Sequence, residues 1–114
     1  MNNKKISIIG FSSDENSSFL KGCSKAPPII MKAFHSDATN KFSENGIDLG
    51  MENLWTYQSF PNIPSSKKGF QLISDTIKKK LKKGNRCISI GGDHSITYPI
   101  IDAYNQYFQN INIL

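Results

Sequence analysis

The sequence places two glycines, a carboxylate, an imidazole and a hydroxyl next to one another at Gly91-Gly92-Asp93-His94-Ser95. A histidine ring nitrogen can bind a metal ion or act as a general base. A neighbouring carboxylate or hydroxyl can orient that ring, and glycines let the backbone approach a ligand closely. The same residues also suit a simple turn in which Asp93 or Ser95 caps the following helix. The local chemistry leaves both interpretations open.

The other histidine and the two cysteines stand apart from one another in the sequence. Cys23 and Cys87 form no Cys-x-x-Cys motif, and neither stands beside a histidine, so we expect both thiols to be structural. His35 has only Asp37 at ligand spacing and is expected to be a surface residue. No signal peptide or membrane span is evident, and we expect a reducing, cytoplasmic location.

The Gly91–Ser95 turn follows a predicted buried strand, and strands alternate with helices along the chain. Strands are predicted at residues 4–10, 86–90 and 111–114. Loops are predicted at residues 11–25, 35–47 and 51–66, with a strand end or a turn at residues 47–50. Strands separated by helices of this length indicate an α/β fold with a parallel sheet, in which ligands bind beyond the carboxyl ends of the strands. The turn after Ile90 is therefore the first place to expect a site.

Three helices are predicted from proline positions and from the spacing of apolar residues. The first begins at Pro27-Pro28, and its apolar face is expected to comprise Ile29, Ile30, Ala33 and Phe34. The second is expected to begin after a cap at Ser65 or Ser66, to end before Gly84, and to bury Phe70, Ile73, Ile77 and Leu81. The third begins at Pro99, with apolar residues at Ile100, Ile101, Tyr104, Tyr107 and Phe108.

The second helix carries the positive charge of the chain. Residues 67–86 hold eight basic residues and one acidic residue, whereas the rest of the chain is slightly acidic and the total is +5. A basic run of this kind can bind nucleic acid or another anion. It also suits the solvated face of a helix that packs on a sheet. Because the chain has a single arginine and no aromatic residues alternate with the lysines, nucleic acid is not the expected partner.

Residues 91–95 resemble the first metal-binding motif of the ureohydrolase family, which includes the arginases and agmatinases. The resemblance extends to residues 12–34, an acidic, serine-containing loop that leads to a glycine and a proline-led helix, and to Asp48-Leu49-Gly50. Residues 18–22 (Ser-Phe-Leu-Lys-Gly) are more similar to the agmatinase-like branch than to the classical arginases. The chain departs from the family pattern in its first helix, at Ala26-Pro27 and Ile30-Met31.

The resemblance implies the N-terminal part of a three-layer arginase-like fold, in which helices flank a parallel sheet. It also implies a manganese-dependent hydrolase of a linear guanidino compound such as agmatine, with urea and an amine as products. In the family, two manganese ions activate a bridging water that attacks the guanidinium carbon. By this resemblance His94 is the ligand of one manganese. Asp93 and Ser95 support that ligand without binding the metal or help to form the turn, and Gly91 and Gly92 shape the turn.

Family members are much longer than this sequence, and they draw further metal ligands from Asp-x-His-x-Asp and Asp-x-Asp motifs that are not present in it. We therefore expect residues 1–114 to be the N-terminal portion of a single, incomplete ureohydrolase domain. By itself this portion is expected to bind no manganese tightly and to be inactive. The full-length enzyme is expected to be a homo-oligomer that binds a small guanidino substrate and no membrane.

The alternative is a small, non-enzymatic basic α/β module that binds nucleic acid or another anionic partner. The two interpretations make different structural demands. A ureohydrolase requires His94 at the carboxyl end of a central strand, with the end of the chain emerging beside it. A basic module requires the lysines to share one face and requires no pocket near His94.

Overall fold

A computed structural model describes residues 5–51 and 53–114 of the protein. Three strands form one parallel sheet in the order β2-β1-β3: β1 (Ile6–Phe11), β2 (Trp55–Phe60) and β3 (Arg86–Gly91). Three helices flank the sheet: α1 (Ala26–Phe34), α2 (Lys67–Lys82) and α3 (Thr97–Tyr107). Short 3-10 turns, Cys23–Lys25 and His94–Ile96, precede α1 and α3. The predicted α/β class with a parallel sheet is confirmed.

The core lies between one face of the sheet and the helices α2 and α3. Ile9 and Phe11 of β1 are fully buried there, together with Ile73 and Ile77 of α2 and Ala103 of α3. Full burial of an aliphatic or aromatic side chain stabilises a fold by about 1.5–3 kcal/mol relative to leaving it in water. The apolar stripe of α2 predicted from its spacing therefore holds the helix against the central strand.

The ends of α2 follow the predicted signals. Ser66 is the cap, because its side-chain oxygen accepts a hydrogen bond from the Gly69 amide at 3.2 Å. Gly84 has a φ of 78°, the left-handed conformation that commonly terminates a helix and that glycine adopts without strain. The lysines of the last turns lie on the outer side, and Lys78 forms an ion pair with Asp75 at 3.1 Å.

The prediction of a loop at residues 51–66 is wrong for Trp55–Phe60, which form β2. Alternate side chains of β2 are more exposed, and Thr56, Gln58 and Ser59 lie at exposed positions. An edge strand needs few apolar residues, and the two nearby prolines made the segment look irregular. Its parallel pairing with β1 is a long-range contact that the local pattern does not encode.

The strand predicted at residues 111–114 is not formed, and Leu114 is fully exposed. An extended segment becomes a strand only when a neighbouring backbone takes up its hydrogen bonds, and β3 pairs only with β1 in the described part of the chain. Residues 47–50 make one isolated bridge, between Phe42 and Asp48, and are otherwise a turn. Of the strand predicted at residues 4–10, Lys4 lies outside the described residues.

The buried faces of α1 and α3 differ from those predicted. In α1 the buried residues are Pro27 and Met31, whereas Ile29 is 61% exposed. Gly10 explains this orientation: a β-carbon there would lie 2.9 Å from the Pro27 β-carbon, so the missing side chain lets Pro27 contact the sheet. In α3, Pro99 and Ala103 are buried, with Ile100 and Tyr104 against the core, while Tyr107 and Phe108 are largely exposed. None of the helices described is long and apolar enough to cross a membrane.

Candidate active site at the carboxyl end of the sheet

The glycine-rich turn lies at the carboxyl end of β3, directly beside the end of β1. Gly91 is the last residue of β3 and pairs with Phe11. The Gly92 amide then donates to the Phe11 carbonyl oxygen at 3.1 Å, and the Asp93 amide donates to the Ser13 carbonyl oxygen at 2.8 Å. The parallel pairing therefore places the turn where the site was predicted, beyond the carboxyl ends of the strands. Among the three described strands β1 is central and β3 is the edge strand, so the expectation of a central strand is not met within these residues.

Asp93 is a buried carboxylate that orders the turn. Its side chain is 7% exposed, with Oδ1 accepting from the Ser95 amide at 2.9 Å and from the Ser95 hydroxyl. Its Oδ2 accepts from the Asn16 amide at 3.0 Å. Asp93 thereby caps the 3-10 turn that continues into α3, where the helix dipole favours a negative charge. The capping role that the sequence left open is thus confirmed for Asp93.

His94 is exposed and lies at the rim of an open cleft of about 570 Å³. Its Nδ1 lies 3.2 Å from the Thr97 hydroxyl oxygen, one helical turn further on. The cleft is also lined by Asp102 and by Ile111, three residues before the end of the sequence. A histidine held on one side of its ring and open to a cleft can act as a metal ligand or as a base.

The described residues do not make up a metal centre by themselves. No group of three or more histidine, cysteine, aspartate or glutamate side chains capable of holding a metal ion is found within residues 5–51 and 53–114. His94 supplies one donor, and both oxygens of Asp93 already accept hydrogen bonds. A pair of divalent cations requires several carboxylates to hold it. The donor set present here therefore does not fit a manganese pair.

The loop after β1 is an ordered part of this edge, and no residue of this loop was among the predicted site residues. The Asp14 carboxylate accepts from the Gly22 amide at 2.9 Å and from the Ser24 hydroxyl at 2.8 Å. These hydrogen bonds lower the pKa of Asp14 from its ordinary value. Glu15 accepts from the Ser65 amide at 2.7 Å. The only sequence signal for this arrangement is the cluster of acidic and serine residues before Gly22.

Of the remaining candidates, Cys23 lies near the turn, with its Sγ 3.8 Å from the Ser13 carbonyl oxygen. His35 and Cys87 form no hydrogen bond with the turn in the described part of the chain. His35 is exposed, and its ring centroid lies 5.3 Å from that of Phe34 and 6.0 Å from that of Trp55. Both cysteines are free. Partial burial raises the pKa of the Cys87 thiol, which favours its protonated form over the nucleophilic thiolate.

Comparison with known proteins identifies the family. Residues 4–114 match the model of the Arginase family. Arginase 1, mitochondrial, of Arabidopsis thaliana is 30% identical over 110 residues, which are 88% of this chain and 32% of that protein. An agmatinase of Neisseria meningitidis is 44% identical over 36 residues, 32% of this chain and 12% of that protein. The agmatine ureohydrolase of Thermoplasma volcanium has a TM-score of 0.67 at 25% identity, covering 89% of this chain and 34% of that one.

The chain therefore spans about a third of the length of the plant arginase and of the archaeal ureohydrolase that it matches. Within that third the likeness runs through the sheet, the helices and the turn at the end of β3. The family model covers all of the described elements. The resemblance seen in the sequence is confirmed: the chain belongs to the Arginase family.

Proposed function

We propose that this chain supplies the first metal-binding histidine of a manganese-dependent ureohydrolase. The reaction is hydrolysis of a guanidino carbon–nitrogen bond in a linear substrate, with release of urea and an amine. The observation that carries the proposal is the exposed imidazole of His94 at the carboxyl end of β3, beside an open cleft. Parallel α/β folds bind their ligands at this end of the sheet.

The residues of this chain hold the imidazole in place. Asp93 caps the turn from beneath with its buried carboxylate, and Thr97 contacts the ring at Nδ1. Gly92 allows the turn to pass close to the backbone of Ser13. The further donors that a metal pair needs are not found among the described residues. The proposed centre is therefore completed by residues other than these, which agrees with a chain spanning a third of its relatives.

We propose an agmatine-like substrate, a linear guanidino compound with an amine in place of a carboxylate. The similarity of residues 18–22 to the agmatinase-like branch supports this choice. So does the likeness to the agmatine ureohydrolase of Thermoplasma volcanium. The arginase of Arabidopsis thaliana matches a comparable share of the chain, so arginine is the competing substrate that any assay has to include.

A chimera tests the proposal. Residues 1–114 replace the corresponding third of the Thermoplasma volcanium agmatine ureohydrolase, and urea release is measured with manganese and either agmatine or arginine. The proposal predicts urea from agmatine. His94→Ala is expected to abolish it, because the removed imidazole is a metal ligand in the proposed site.

His35→Ala is the matched control, since it removes the other imidazole of the chain from an exposed position. It is expected to leave urea release unchanged. Circular dichroism establishes that each chimera is folded. Full activity of a folded His94→Ala chimera would contradict the proposal, as would a folded parent chimera that binds manganese and releases no urea.

The alternative, a non-enzymatic basic module, receives less support. Four lysines at the end of α2 and just after it, Lys78, Lys79, Lys82 and Lys83, line one open cleft together with Asp75, whereas Lys67 lines another. That interpretation requires no pocket near His94, whereas a cleft is present there. Membership of the Arginase family also favours the hydrolase. A cytoplasmic location and a homo-oligomeric enzyme remain predictions.

A further inference from the structure

Hydrogen bonds join the loop after β1 to two other connections at the same edge of the sheet. Towards β3, the Asn16 amide donates to Asp93 Oδ2 at 3.0 Å, and the Asp93 amide donates to the Ser13 carbonyl oxygen at 2.8 Å. Towards α2, the Ser65 amide donates to Glu15 Oε2 at 2.7 Å, and the Asn16 side-chain amide donates to Ser65 Oγ. We call these five residues, Ser13, Glu15, Asn16, Ser65 and Asp93, the clasp.

The clasp links the ends of all three strands. Ser13 and Asn16 follow β1, Ser65 lies between β2 and α2, and Asp93 follows β3. Ser65 also precedes Ser66, the cap of α2, so one side of the clasp is attached to a helix that packs into the core. The loop after β1 is thereby held between a fixed helix start and the turn that carries His94.

Asp93 is the member of the clasp that is adjacent to His94 in the sequence. The carboxylate is buried, and its two oxygens are shared between the Ser95 amide on one side of the histidine and the Asn16 amide from the loop. A buried carboxylate that loses one of its donors is destabilised where it lies. Because Asp93 and Ser95 flank His94, a displaced loop changes the orientation of the backbone on both sides of the imidazole.

We propose that Glu15 and Asn16 are positioning residues for His94, acting through the clasp. This inference rests on the proposed function, because the position of His94 matters chemically only if the imidazole is a ligand. Within the described residues, no hydrogen bond joins Glu15 or Asn16 to the His94 ring. In the sequence both residues stood out only as members of an acidic loop. The placement of the metal ligand therefore depends on two exposed side chains that are more than 75 residues away in sequence.

The test follows the two histidine rings in the 114-residue chain by NMR, with nitrogen-15 in the histidines only. His35→Ala assigns the two sets of ring signals.

Glu15→Ala removes the acceptor of the Ser65 amide, whereas Glu15→Gln keeps a carboxamide oxygen in its place. We expect Glu15→Ala to shift the His94 ring signals towards those of free histidine and to broaden them. We expect Glu15→Gln to restore them. Asn16→Ala removes the donor to Ser65 Oγ, and we expect it to shift and broaden the His94 ring signals in the same way as Glu15→Ala.

Ser36→Ala is the matched control. It removes a hydrogen bond of 2.7 Å to the Ala33 carbonyl oxygen, next to His35, and is expected to move the ring signals of His35 and not those of His94. The proposal is wrong if His94 is unaffected by both Glu15→Ala and Asn16→Ala, or if Glu15→Gln perturbs it as strongly as Glu15→Ala. These outcomes need no metal or substrate, so they are distinguishable from a failure of the chimera to release urea.

Discussion

Gly92 and Ser13 lie backbone against backbone, so that a β-carbon at position 92 would stand 1.7 Å from the Ser13 carbonyl oxygen. The contact continues the pairing of β1 and β3 beyond the last residues of both strands. The Asp93 amide donates to that same Ser13 oxygen at 2.8 Å. The turn that carries His94 is thereby placed against the central strand of the sheet.

Gly92→Ala is expected to destabilise the fold by more than about 3 kcal/mol, above the usual range for overpacking, because the opposing atoms belong to backbone and cannot rotate away. Gly91→Ala is the comparison. Its β-carbon would meet the end of the Ile96 side chain, which can change rotamer, so we expect a cost of about 1–2 kcal/mol. Urea unfolding of both variants measures the difference. Equal stability of the two would contradict the close backbone contact.

Manganese titration of the 114-residue chain is expected to show no tight site. The described residues place one imidazole, and no group of three or more ligand side chains, where a metal ion could bind. A lone imidazole binds a divalent manganese ion weakly, because this ion prefers carboxylate and water oxygens. Isothermal titration calorimetry checks the expectation, with His94→Ala as the reference. Two tight sites in the unmodified chain would show that the described residues complete the centre by themselves.

The buried stripe of α2 should dominate the stability of the helical layer. Ile73 is fully buried in the core, while its neighbour Leu72 is 42% exposed. Ile73→Ala is expected to cost about 2–5 kcal/mol, because it removes buried methyl groups and leaves a cavity. Leu72→Ala should change the free energy of unfolding by about 0.5 kcal/mol or less, as surface substitutions usually do. Chemical denaturation of the two variants gives both changes in the free energy of unfolding. Equal losses of stability would contradict the orientation of α2 that buries Ile73 and exposes Leu72.

The loop between β1 and α1 is expected to respond to acid through Asp14. Hydrogen bonds from Gly22 and Ser24 lower the pKa of this carboxyl group, so the folded state binds the proton less readily than the unfolded state. Its contribution to stability is therefore present above the ordinary carboxyl pKa and is lost as the pH falls through the lowered value. The Gly22 amide, which donates to Asp14, should titrate by NMR with a midpoint below that of an ordinary aspartate.

Asp14→Asn should remove this titration of the Gly22 amide. The Gly46 amide serves as an internal reference, since it donates to the Ser43 carbonyl oxygen and to no carboxylate. A Gly22 midpoint at or above the ordinary aspartate value would contradict the hydrogen bonds to Asp14.

Local signals predicted α2 well and the edges of the sheet poorly. The Ser66 cap, Gly84 and the apolar spacing from Ile73 to Leu81 act within a few residues of one another, so the pattern alone locates α2. In contrast, β2 is a strand only because β1 lies beside it. The segment at residues 111–114 has the composition of a strand and no neighbour to pair with in the described part of the chain.

The alternation of strands and helices, the turn after Ile90 and its likeness to a metal-binding motif can be read from the sequence alone. Each of these depends on residue types at short spacing. The folded structure is needed to show that β1 is central in the described sheet, that Pro27 and Met31 face inward, and that Glu15 and Asn16 join Ser65 to Asp93. Those relationships are contacts between residues far apart in the chain, and residue types at short spacing do not show which distant backbones will meet.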